Sequence, residues 1–163
     1  MRRLGLVLAV LIVAGCAESA VTPRVGVEAK REWISNITVV IGQLQEDVAQ
    51  TQLIGSTPAA AQAALRDESA LYALLVAYSD LAGCRHIVAS AGAPPRRAAA
   101  PVDEPLVAAC VHLERASALF TEAATHDDGL PLAAATREAR RALPSLARAA
   151  AALARVTQSQ APA

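Results

Sequence analysis

The spacing of the apolar residues constrains this chain most, because it repeats at the interval of an α-helix. In residues 34–48 the apolar side chains follow one another in alternating steps of three and four, as Ile34, Ile37, Ile41, Leu44 and Val48. Such a stripe covers one face of an amphipathic helix. The stripe predicts a first helix over residues 26–53, although the β-branched run at 37–41 also has strand propensity.

Capping and turn residues divide the rest of the chain. Thr57 and Pro58 suit the N-cap and first position of a second helix, which we predict over residues 58–91. After an Ala/Pro/Arg-rich loop, Asp103 is predicted to cap a third helix. The two aspartates and the glycine of residues 127–129 then signal a turn into the last helix.

The fourth predicted helix spans residues 131–157, and Pro144 inside it is expected to kink or split it. Short connections between long helices place sequential neighbours antiparallel. The predicted fold is therefore all-α, an antiparallel up-down four-helix bundle over residues 27–157, followed by a disordered tail at 158–163. The rival arrangement is a three-helix bundle with a loose first segment.

Alanine dominates the composition and limits what the core can bury. Forty of the 163 residues are alanine, and the aromatic residues are few. Alanine fills helices well but removes little area from water, so the predicted core has closely spaced helices and would benefit from a covalent crosslink. Trp33 is the one tryptophan. We predict that it closes one end of the core; contact with lipid headgroups is the alternative.

The N-terminal residues carry a targeting pattern. Arg2 and Arg3 precede an apolar run of about ten residues, which is too short to span a bilayer. The sequence Val13-Ala14-Gly15-Cys16 follows and resembles the lipobox of bacterial lipoproteins. The resemblance implies a signal peptide at residues 1–15, a diacylglycerol thioether on Cys16 and a tether over residues 16–26. The alternative is an ordinary secretory signal.

The same resemblance implies where the protein resides and what it contacts. A lipidated Cys16 would hold the mature chain on the extracytoplasmic face of a cell membrane or outer membrane, with that membrane as its partner. Ala17, rather than aspartate, follows the cysteine. In a bacterium with two membranes, this resembles a lipoprotein that is released to the outer membrane. An envelope protein or polymer is the further partner expected.

Lipidation of Cys16 would leave two cysteines as a pair in an oxidising compartment. Cys84 and Cys110 each precede a histidine by two residues, at His86 and His112, and two Cys with two His could suggest zinc. However, residues two apart on a helix point nearly opposite ways, at ~100° per residue. We therefore predict a disulfide between the second and third helices, with free buried thiols and a metal site as alternatives.

The fourth predicted helix has a basic face. At ~100° per residue, four arginines lie within ~40° of one another on a helical wheel, with Arg140 beside them: Arg137, Arg141, Arg148 and Arg155. Leu143, Leu146 and Leu153 lie roughly opposite. The simplest interpretation is a solvated face. Anionic lipid headgroups or envelope polymers could also use it.

The sequence lacks the patterns of common catalytic and cofactor sites. Glu-x-x-His pairs, Cys-x-x-Cys-His and Gly-x-Ser-x-Gly are absent. From Cys16 onward, 13 basic and 15 acidic residues give a formal charge of −2, which does not favour nucleic acid. We predict a binding or scaffolding module of the envelope, without enzymatic activity, cofactor or metal. The alternative is an extracytoplasmic carrier with a pocket between helices for a small ligand or metal.

Overall fold

The computed structural model describes residues 23–93 and 100–159, and these residues form six α-helices and no strand. The helices are α1 Pro23–Gly55, α2 Pro58–Arg66, α3 Glu68–Ala82, α4 Cys84–Ser90, α5 Ala100–His126 and α6 Gly129–Gln158. The all-α prediction is confirmed for this part of the chain. The predicted signal peptide, Cys16, the tether up to residue 22, loop residues 94–99 and tail residues 160–163 lie outside the described residues.

The prediction of one helix over residues 58–91 is wrong, because three helices occupy that segment. Asp67 separates the first two: its backbone is extended, and its side chain accepts a hydrogen bond of 2.8 Å from the N–H of Ala70. An aspartate that bonds the backbone three residues on starts a new helix instead of continuing the old one. Gly83 makes the second break, between α3 and α4.

The predicted helix starts are right in one case and wrong in two. Thr57 caps α2 as expected, since its hydroxyl oxygen accepts from the N–H of Ala60 at 3.2 Å. Asp103 is not a cap, because α5 already begins at Ala100 and Asp103 lies in its first turn, where the helix dipole favours a carboxylate. Helix α1 begins at Pro23, so the last four residues of the predicted tether are helical.

The predicted turn at residues 127–129 is confirmed, and it sets the start of α6. Asp127 has a positive φ of 50°, and the Asp128 side chain accepts from the N–H of Leu130 at 2.9 Å. Helix α6 then runs without interruption to Gln158, so Pro144 does not split it. Pro144 is exposed, and there the carbonyl that loses its helical partner can be solvated.

The core combines leucines and valines with many fully buried alanines. Helix α1 contributes its predicted apolar stripe and Trp33, which is only 3% exposed, so the first segment is not loose and Trp33 belongs to the core. Helices α5 and α6 share the most extensive contact of any pair, lined by alanines at both faces. Tyr78 of α3 stacks on Phe120 of α5 with 4.5 Å between the ring centroids.

Further contacts tie the remaining helices to this core. Helix α1 packs on α3 and α6, and α2 packs on α6. The start of α6 approaches α2 so closely that a Cβ at Gly129 would lie 2.7 Å from the Gln62 nitrogen and the Pro58 oxygen. Only glycine fits at that contact. Among residues 23–93 and 100–159, no helix is long and apolar enough to cross a membrane.

Candidate functional site

Cys84 and Cys110 form the predicted disulfide, which joins α4 to α5. The two Cα atoms are 5.4 Å apart, and both residues are almost fully buried. The free-thiol and zinc alternatives for these cysteines are therefore wrong. The setting differs from the prediction in one respect: Cys84 is the first residue of the short helix α4 rather than a residue within a long helix.

The two neighbouring histidines point away from the disulfide. His86 is exposed, whereas His112 reaches α6 and places Nδ1 2.8 Å from Oε1 of Glu138. Within residues 23–93 and 100–159, no group of three or more His, Cys, Asp or Glu side chains is arranged to hold a metal ion. The shared Cys-x-His pattern thus serves two separate contacts rather than one site.

Sequence reasoning missed the buried carboxylate of Glu138. Its side chain is 7% exposed, and its second oxygen lies 2.7 Å from a guanidinium nitrogen of Arg141. Burial raises the pKa of Glu138, but the hydrogen bond with His112 and the charges of Arg141 and Arg115 outweigh burial, so that its pKa is lowered. Glu138 therefore stays ionised and links α5 to α6. No clear signal in the sequence marked it, since Ser145, seven residues later on the same face, is also polar.

The five arginines of α6 are all exposed, while Leu146 and Leu153 are buried and Leu143 is half-buried. The arginines differ in their local contacts. Arg141 pairs with Glu138, and Arg140 donates to the side-chain oxygen of Gln52 at 3.2 Å. Arg148 donates to the Ser145 hydroxyl at 2.9 Å. The exposed face is therefore partly committed to intramolecular contacts.

Two of these arginines line a groove between α5 and α6, which we call the arginine groove. Its volume is about 320 Å³, and its lining residues are Pro101, Glu104, Pro105, Ala108, Arg148, Ala151 and Arg155. Arg148 and Arg155 stand two helical turns apart on one face of α6. The groove combines two guanidinium groups with one carboxylate, so it can receive an anionic group at the arginines.

A second groove, the tryptophan groove, lies beside the disulfide. Its volume is about 280 Å³, and it is lined by Trp33, Ile37, Arg85, Val88, Ala89, Gly92, Asp103, Val107 and Cys110. Most of the lining is apolar. Burial raises the pKa of Asp103 above its usual value. Arg85 also bonds to Glu114 at 3.2 Å.

A third groove runs between α1 and α3 and is lined by acidic and apolar residues. Its volume is about 340 Å³. Asp47 lines it, and the Oδ2 atom of Asp47 is buried without a hydrogen-bond partner among the described residues. Burial, together with the negative charges of Asp80 and Glu46, raises the pKa of Asp47 to about 6. Tyr72, 69% exposed, forms part of the opposite wall.

Comparison with protein-family models, curated proteins and solved structures finds no match to this chain. The chain provides a covalently fastened helical scaffold and a buried ionic link between α5 and α6. Its surface includes three grooves whose lining residues differ in charge.

Proposed function

We propose that this protein is a lipid-anchored, extracytoplasmic module of the bacterial cell envelope that acts by binding or scaffolding. The observation that carries the proposal is the buried Cys84–Cys110 disulfide. Disulfides persist in oxidising compartments and are rare in the cytosol. This supports export, and the lipobox resemblance at Cys16 supplies the mode of retention. The mature chain would begin at Cys16, after removal of residues 1–15.

The architecture we propose is an up-down bundle of four helical segments, in which α2, α3 and α4 together form the second segment. Three cross-helix contacts support it: Gln52 with Arg140, Cys84 with Cys110, and His112 with Glu138. Between the first two segments, Asn36 contacts Ala91, whereas the later Gln43 contacts the earlier Asp80. Gln52 near the end of α1 contacts Arg140 in the first half of α6. That relation is the one expected of antiparallel neighbours.

A filled core supports binding at the surface more than storage of a ligand inside. Leucines and alanines of five helices are buried together, and the grooves open to solvent. Ligand pockets of about 300–1,000 Å³ normally enclose most of their ligand. The arginine groove has a volume at the small end of that range and does not enclose its contents. A surface that contacts a partner needs no enclosed cavity.

The lipid anchor can be tested directly in a bacterial host. Full-length chain should be found in the membrane fraction, and mass spectrometry should detect a diacylglycerol-modified Cys16 at the N-terminus of the mature chain. Cys16→Ser should leave the precursor uncleaved and free of thioether-linked lipid, whereas Ser19→Ala, three residues away, should change neither property. Soluble wild-type protein with an unmodified N-terminus at another residue would overturn the proposal.

The tryptophan groove favours a second candidate function, the carriage of a small apolar ligand with a positive charge. Asp103 offers a carboxylate beside apolar side chains that include Trp33. Because Trp33 is the one tryptophan, its fluorescence reports on this groove. Titration with octylamine should shift the emission at concentrations where octanol does not, and Asp103→Asn should remove the difference. Equal responses to the two compounds would exclude this function.

A further inference from the structure

We infer that the arginine groove binds the headgroup phosphate of an anionic lipid in the membrane to which the chain is anchored. This inference rests on the proposed lipid anchor at Cys16. It goes further by assigning a ligand class to Arg148 and Arg155 and by stating which end of the domain faces the bilayer. Three features support it: the position of the groove, two guanidinium groups that no carboxylate pairs with among the described residues, and the length of the tether.

The position of the arginine groove follows from two consecutive residues of α5, one of which lines each groove. Trp33, early in α1, lines the tryptophan groove together with Asp103. The next residue, Glu104, lines the arginine groove together with Arg148. Because Asp103 and Glu104 are consecutive residues near the start of α5, the two grooves flank the same part of the molecule. The third turn of α1, the first turns of α5 and the last turns of α6 therefore lie close together.

The tether keeps this part of the molecule close to the membrane. Six residues separate Cys16 from Pro23, where α1 begins. A fully extended chain of that length spans about 25 Å, and the turns of α1 from Pro23 to Trp33 add about 15 Å. A short tether turns binding to the membrane into an intramolecular event at high effective concentration. A groove of modest intrinsic affinity would then be occupied.

The chemistry of the groove fits a phosphate. Guanidinium groups form bidentate, charge-assisted hydrogen bonds with phosphate oxygens. Arg141 is already paired with the buried Glu138, and Arg140 with Gln52. Among residues 23–93 and 100–159, neither Arg148 nor Arg155 has an ion-pair partner within 4.0 Å. Ser145 accepts a hydrogen bond from Arg148 and thereby helps to position it.

Glu104 sets the expected strength of the site. Its carboxylate lines the same groove and repels an anion, so affinity for free phosphate in solution should be low. A lipid surface offers many phosphates together and an overall negative potential, which attracts nearby arginines. We therefore assign the groove to lipid phosphate rather than to a soluble anion.

The test compares two pairs of arginines on the same helix. The protein tested comprises residues 16–163 with Cys16→Ser and an intact disulfide. It is sedimented with vesicles that contain phosphatidylglycerol and, separately, with vesicles of phosphatidylcholine alone. Arg148→Gln with Arg155→Gln should weaken binding to phosphatidylglycerol vesicles about tenfold. Arg137→Gln with Arg140→Gln removes the same charge outside the groove and should have little effect. Glu104→Gln should strengthen binding.

The possible results separate the inference from the proposal on which it depends. Equal loss in both arginine pairs would show general attraction to the surface and overturn the groove. Unchanged binding of the Arg148/Arg155 variant to the vesicles would also overturn the groove as a lipid site, even if the wild type binds inorganic phosphate. Because the chain tested has no lipid anchor, these results do not depend on the state of Cys16. The far-UV circular dichroism spectrum of each variant checks that its helices are folded.

Discussion

The α5–α6 pair and the α2–α4 segment respond in opposite ways to residues that commonly break helices. Pro105 lies inside α5 and Pro144 inside α6, and both helices continue through them. The segment from α2 to α4 has no proline after its first residue, yet it breaks at Asp67 and again at Gly83. Proline content alone would predict the reverse.

Packing explains the difference. Helices α5 and α6 contact each other extensively, with alanines such as Ala109 and Ala139 fully buried and Glu138 bonded from both helices. These contacts offset one lost backbone hydrogen bond at each proline. In α2–α4 the contacts are divided among several neighbours, and the Asp67 side chain offers the backbone a local alternative. Helix continuity here depends on tertiary contact more than on individual residues.

The largest effect is expected from removal of the crosslink that fastens the interrupted segment. Helix α4 has only seven residues, too few to be stable alone, and Cys84 is its first residue. Cys84→Ala with Cys110→Ala should lower the free energy of unfolding by about 3 kcal/mol. Urea denaturation measures the loss, and reduction of the wild-type disulfide should produce a loss of similar size.

The comparison also predicts where the crosslink acts. Hydrogen exchange should accelerate most in residues 84–90 of the double variant and least in the α5–α6 contact. Uniform acceleration in both regions would show that α4 is not held separately, and the contrast between the two regions would fail.

The next largest effect should come from the ionic link between α5 and α6. Glu138→Ala removes a buried carboxylate and leaves His112 and Arg141 without it, although those partners are partly exposed. We expect a loss of about 2 kcal/mol, below the usual value for a fully buried pair. Glu138→Gln should cost less, since an amide can still bond to one partner. The exposed Glu122→Gln on α5 should have almost no effect.

The pH dependence of this loss has a definite sign. Burial raises the pKa of Glu138 in the folded protein, but His112 and the nearby arginines lower it by more, so the pKa is lowered overall. The folded state therefore releases this proton more readily than the unfolded state. The stabilisation is present above the unfolded pKa and disappears as the pH falls through the lowered value. The difference between wild type and Glu138→Gln should shrink in acid.

A smaller effect should follow from removal of the cap at the first break. Asp67→Ala leaves the N–H of Ala70 without its acceptor and should lower stability by about 1 kcal/mol. Asp67→Asn keeps an acceptor oxygen and should retain most of the stability. If Asp67→Ala instead raised stability, α2 and α3 would have merged into one helix, as the prediction of a single helix over residues 58–91 expected. Thermal unfolding followed by circular dichroism distinguishes these results.

The fold could be predicted from the sequence where one residue type has one clear role. Apolar steps of three and four predicted α1, Thr57 predicted a cap, and the turn at 127–129 was right. The disulfide followed from the number of cysteines and their apolar neighbours. These signals are local, so a single sequence contains them.

The missed features depend on alanine and on tertiary contact. Alanine occurs at buried and exposed positions alike, so an alanine-rich helix does not reveal the full width of its buried face. Glu138 was missed for this reason, because the leucines alone defined that face of α6. The break at Asp67 was missed because the residues on both sides of it favour a helix, so only the aspartate itself marked the boundary. The grooves combine residues of different helices, and no spacing within one helix predicts them.

The smallest expected effect contrasts Glu138 with the carboxylate that packing leaves unsatisfied. Asp47 has one buried oxygen without a partner among the described residues, and burial, Asp80 and Glu46 raise its pKa to about 6. The folded state thus holds this proton over a range in which the unfolded state has already released it. Stability should therefore decrease as the pH rises from the unfolded pKa to about 6, and the cost remains above that pH.

Asp47→Asn cannot ionise, so it should stabilise the protein at about pH 7 by up to 1 kcal/mol after allowance for solvent screening. At about pH 4, where the folded wild type is protonated, the same variant should change little. Urea denaturation at both pH values measures the difference, with the exposed Glu32→Gln on the same helix as the control. An equal effect of Asp47→Asn at both pH values would mean that ionisation of Asp47 carries no cost, and the contrast between a satisfied and an unsatisfied carboxylate would then be wrong.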